Sequence, residues 1–136
     1  MSRFTWVPYV AAVSGAALIV KGSLIIATDN AISDGAMGVL YLAGLGLGVV
    51  AAIGAGLRQR GWVRGLLVGF GSTIALLAWI TTLSDSFKPV VGLVSGTEHV
   101  QVEVPVVLAG LVLTALALRA RSRDLQPASQ QANWRR

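Results

Sequence analysis

The chain contains no cysteine. Disulfides, thiolate metal sites and cysteine nucleophiles are therefore excluded together. Charge is also scarce: 12% of the 136 residues are Asp, Glu, Lys or Arg, against about 25% in a soluble domain. Histidine occurs once, at His99, with Glu103 four residues later. Such a pair shares a helical face, but zinc asks for three or four protein ligands, so no metal is expected. No serine has a candidate base nearby other than His99, and no phosphate-cradling glycine loop follows a strand. These absences predict a protein without catalytic residues or a cofactor.

What is abundant is apolar sequence. Hydrophobic residues make up 54% of the chain, and the mean hydropathy is +0.71. Two runs stand out, Gly35–Leu57 and Trp62–Ser84, of 23 residues each, joined by Arg58-Gln59-Arg60-Gly61. Helices of that length reach roughly 34 Å, enough to cross a hydrocarbon core of about 30 Å. Together they predict a transmembrane helical hairpin.

The remaining chain falls into place around it. A first span is predicted at about residues 5–28, with Trp6 and Tyr9 in an interfacial aromatic belt and Pro8 tolerated in the first turn. It reads as a retained helix, because its apolar run is longer than a cleaved signal allows. After the third span, a long connection is expected from Asp85 to about Thr97. The fourth span is predicted at about residues 98–120. Pro105–Leu118 alone is 14 residues, too short to cross, and Ser95-Gly96-Thr97-Glu98 has the capping-box pattern that would start the helix earlier. The valines alternating through His99–Val104 offer a strand as the competing reading. A helix is preferred, since a strand edge in lipid leaves backbone groups unsatisfied. The expected architecture is thus an all-α membrane protein, a four-transmembrane-helix antiparallel bundle over residues 1–120. A basic polar cytoplasmic tail, 121–136, follows it, with Trp134 as a weak headgroup anchor.

Four crossings sort the charges. All nine arginines, at positions 3, 58, 60, 64, 119, 121, 123, 135 and 136, fall on one side. Asp29, Asp34, Asp85, Glu98 and Glu103 fall on the other, with Lys88 the only base there. The positive-inside rule then places both termini in the cytoplasm (N-in/C-in) and makes Arg58, Arg60, Arg64, Arg119, Arg121 and Arg123 cytoplasmic anchors on lipid phosphates. The arginines do not interleave with stacking aromatics, so nucleic acid is not an expected partner. Short loops, the absence of a glycosylation sequon and the arginine-over-lysine bias point to a bacterial plasma membrane.

Small residues recur every four positions in the hairpin. Gly44, Gly48, Ala52 and Gly56 share a face of the second span, and Gly61, Gly65, Gly69 and Thr73 share one of the third. Faces of this kind let helix backbones approach closely in lipid. The simplest use is packing of the two helices on each other; the other use is docking of a partner's helix. Trp62 and Trp79 read as interface and lipid anchors.

Lys21 breaks the pattern. It lies roughly 22 Å along the helix from Trp6 and some 12 Å short of Asp29. A charge at that depth costs about 3 kcal/mol on insertion scales. Its Cα–Cβ bond tilts toward the N-terminus, against outward snorkelling, so a fixed partner is expected. Asp29 and Asp85 are the candidates by level. The functional reading that follows is a non-enzymatic small integral membrane protein. It would serve as an accessory or stabilising subunit of a larger membrane complex, with lipids and other integral membrane subunits as partners. The alternative is a small oligomeric transporter or channel using Lys21 as an intramembrane contact.

Overall fold

The computed structural model describes residues 4–28, 31, 33–93 and 98–124. Asp29, the capping-box residues before Glu98 and the tail from residue 125 lie outside that set. Every regular element among the described residues is helical: α1 Val7–Thr28, α2 Asp34–Leu57, α3 Trp62–Ala78, a π-helical turn Trp79–Leu83, α4 Ser84–Gly92 and α5 Glu98–Asp124. Among the described residues, four helical runs are long and apolar enough to cross a membrane, Val7–Thr28, Gly35–Leu57, Trp62–Thr82 and Val100–Arg123. Helices are what such sequences must form, because their backbone hydrogen bonds close within the segment.

Two expectations need correction, and the preference for helix over strand at 98–104 is met. The stretch after residue 84 is not a loop: the path of α3 runs through the π turn directly into α4, so helix persists to Gly92. Residues 98–104 are helical, and α5 extends four residues past Ala120 into the segment predicted as tail. Pro105 sits inside α5 and is fully buried. Lacking an N–H, it cannot donate to the carbonyl one turn back. The helix continues through it because packing holds it there.

The helices do not contact one another evenly. α1 is the hub, with its most extensive contact on α5 and the next on α2. α3 packs on α2, whereas the path that continues from α3 meets α5 mainly through the π turn and α4. Residue numbers rise along α1 as they fall along its neighbours. Ser14 Oγ donates to the Gly44 carbonyl at 2.6 Å, and a Cβ on Gly54 would lie 2.7 Å from Val7. Leu18, wholly buried, lies over Gly44. Between α2 and α3 the turn pivots on Gly61, whose φ of +103° lies in the region that favours glycine.

Candidate functional site

Two seven-residue spacings on α1 organise its contact with α5. Gly15 and Gly22 stand two turns apart and both lie against α5. A Cβ on Gly15 would meet the Gly110 carbonyl oxygen at 2.5 Å, and one on Gly110 would meet the Gly15 carbonyl oxygen at 2.6 Å. The crossing therefore exists only because neither residue has a side chain. Ser14 and Lys21 hold the same spacing one position earlier, so the polar groups of α1 ride beside this glycine seam.

The second crossing point puts Lys21 against Glu103. Lys21 Nζ donates to Glu103 Oε1, and the pair is almost enclosed, with side-chain exposures of 11% and 7%. Gly22 makes room for α5 itself, since a Cβ there would come within 2.5 Å of Val107 Cγ2. The ammonium also lies 5.3 Å from the centre of the Tyr41 ring on α2, a cation–π distance. Among the described residues, Glu103 Oε2 is buried without a hydrogen-bond partner. One lysine thus ties three helices together.

This differs from the expected pairing. Asp85 bonds Lys88 on its own helix at 2.6 Å, and both groups are well exposed, a class of ion pair worth little. Asp29 lies outside the described residues. Glu103, expected at the outer surface, is 5% exposed. The physical reason is helix adjacency: α1 packs directly on α5 at Gly22, so the nearest carboxylate comes from there. A cleft of about 370 Å³ lies beside the pair, lined in part by Lys21, Tyr41, Asp85 and Lys88.

Trp79 is also placed differently from a lipid anchor. It is half-buried at the start of the π turn, and its indole Nε1 donates to the Pro105 carbonyl at 3.0 Å. The π turn shifts the helix register by a residue, and the bond made there joins the α3 path to α5.

The small-residue faces separate by position. Gly44 and Gly48 lie against α1, where Gly48 meets Ser14 and also Leu76 of α3. Gly56 faces Gly65 and Gly69 of α3, and the Ala52 carbonyl oxygen lies 3.8 Å from a Cβ built on Gly69. Gly61 forms the turn, and Thr73 turns its hydroxyl to the Gly69 carbonyl at 2.8 Å. The internal use of these faces accounts for every glycine among them except the turn.

Of the predicted anchors, Arg60, Arg64, Arg119, Arg121 and Arg123 are exposed and Arg58 half-exposed. Arg121 stacks 5.5 Å over the Tyr9 ring. Arg58 and Arg123 line a slot of about 400 Å³ between α1, α2, α3 and α5, whose walls include Pro8, Ala52, Ala55, Leu113 and Ala117. Sequence reasoning missed the Gly15–Gly110 seam and Glu103. The seven-residue spacing of Gly15 and Gly22 is the signal that points to the seam.

Chemically, the Lys21–Glu103 pair can lock helices, and the second carboxylate oxygen, Oε2, keeps its capacity to accept a hydrogen bond. The chain finds no match among known protein families, curated proteins or solved structures.

Proposed function

We propose that this is a non-enzymatic accessory or stabilising subunit of a larger assembly in a bacterial plasma membrane. In this reading the four spans form an antiparallel bundle with both termini on the cytoplasmic, arginine-rich side. Supporting it is the uneven packing. α1 is enclosed on two sides, while α3 has a principal neighbour only in α2. The outward face of α3 carries Leu67, Phe70 and Ile74, each more than 60% exposed. The intramembrane charge, by contrast, is matched inside the chain. That favours a role in holding structure over one in moving ions.

Photo-crosslinking residues at Leu67 and Ile74 in native membranes test the subunit role. The expected product is a single heterologous membrane polypeptide, identified by mass spectrometry. Crosslinks to lipid alone, with a protein that purifies alone in mild detergent, would sink it. The absence of native cysteine makes orientation simple to check. A cysteine at Ala31 should react with an impermeant maleimide from outside whole cells, and one at Gln59 should not.

A small transporter is the second reading, favoured by the cleft that reaches Lys21. Reconstituted flux abolished by Lys21→Gln would establish it over the first; the expected result is no flux.

A further inference from the structure

The slot between α3 and α5 has three properties that belong together. Its walls are mainly apolar, with Ser72 and Gln59 the uncharged polar residues among them, and Gly48, Ala51, Ala52, Ala55 and Ala117 leave space where larger side chains would close it. Its lining includes two arginines at one end of the bundle, Arg58 at the C-cap of α2 and Arg123 in the last turn of α5. Its inner end stops at Leu76 and Leu113. Just beyond Leu76, the path of α3 enters the π turn and is bonded to α5 through Trp79.

The depth is set by the helices. Gly48 precedes Arg58 by ten residues, and Leu113 precedes Arg123 by ten, which is roughly 15 Å along a helix. That is half of a hydrocarbon core of about 30 Å, or one leaflet. A volume of about 400 Å³ falls in the usual range for a ligand site, about 300–1,000 Å³. We infer that the slot holds one acyl chain of an anionic phospholipid from the arginine-side leaflet, with its phosphate held by Arg58 and Arg123. A guanidinium presents paired donors to a phosphate. A partner helix, at about 10 Å across, suits a groove that continues through the membrane. This slot ends halfway, as a chain lying in one leaflet does. The site is independent of whether a protein partner exists.

The test uses the full-length protein in detergent micelles containing equal amounts of phosphatidylglycerol and phosphatidylcholine with matched chains. Native mass spectrometry reads the lipid retained after delipidation. The expected result is one phosphatidylglycerol per chain. Arg58→Gln/Arg123→Gln should lower that preference at least about tenfold, as losing a charge-assisted hydrogen bond entails. Ala117→Leu, which fills the slot, should remove the lipid while the thermal midpoint shows a folded protein. Arg60→Gln/Arg64→Gln removes the same charge from the same end without touching the slot, and should retain the lipid. Equal retention of the two lipids would overturn the site, as would an equal loss on changing Arg60 and Arg64. So would a photo-crosslinker at Ala120 that captures a polypeptide in place of lipid.

Discussion

The α1–α5 and α3–α5 pairings use helices of similar composition and end very differently. α1 and α5 touch backbone to backbone at Gly15 and Gly110, and a buried ion pair joins them one crossing further on. The path of α3 is bonded to α5 at the π turn, where the Trp79 indole donates to the Pro105 carbonyl, and a slot lies between the two helices nearer the arginines. Apolarity does not separate the two cases, because both surfaces are as apolar as lipid. In a bilayer, what draws helices together is close approach at small residues and polar groups that have nowhere else to go. α1 and α5 have both, whereas α3 offers α5 a single indole N–H.

The sharpest way to break this contrast is to remove half of the ion pair. Lys21→Met leaves Glu103 buried and unmatched, and should cost about 3–5 kcal/mol. The double change Lys21→Met/Glu103→Leu should recover most of that loss. Both are read by unfolding in mixed micelles, and a double mutant as unstable as the single would refute the pairing. Next in size is Gly110→Ala, which drives a methyl into the Gly15 carbonyl and should cost about 1–3 kcal/mol as an overpacked contact. Replacing Trp79 by Phe keeps the ring but removes its donor, and about 1 kcal/mol should be lost. At the open end of the comparison, Leu67→Ala and Gly71→Ala should stay within about 0.5 kcal/mol of the parent. Leu67 faces outward, and a Cβ at Gly71 meets nothing within 4 Å. A large effect there would mean that α3 is already covered.

The spans were legible because bilayer thickness sets a length, and a run of apolar residues either meets it or does not. The need of Lys21 for a fixed partner was legible for a similar reason, as a cost that something must offset. Its partner was not. Asp85 is level with Lys21 and lines the same cleft, yet Glu103 wins because α5 is the neighbour of α1. Helix adjacency is a property of the assembled bundle, and no local pattern around His99–Val104 announces it. The glycine repeat of the hairpin was visible at four-residue spacing, but the Gly15–Gly22 spacing was passed over beside it. The π turn left no mark at all, since Trp79–Leu83 reads as one more stretch of helix.

The ion pair spans 82 residues of sequence. A ribosome delivers Lys21 to the membrane well before Glu103 has been synthesised. Through that interval the ammonium lacks the carboxylate it meets in the folded chain, and its nearest described companion on an earlier helix is the Tyr41 ring of α2. A truncation ahead of residue 103 should therefore leave Lys21 without its ion-pair partner, while the contacts of α1 with α2 remain available.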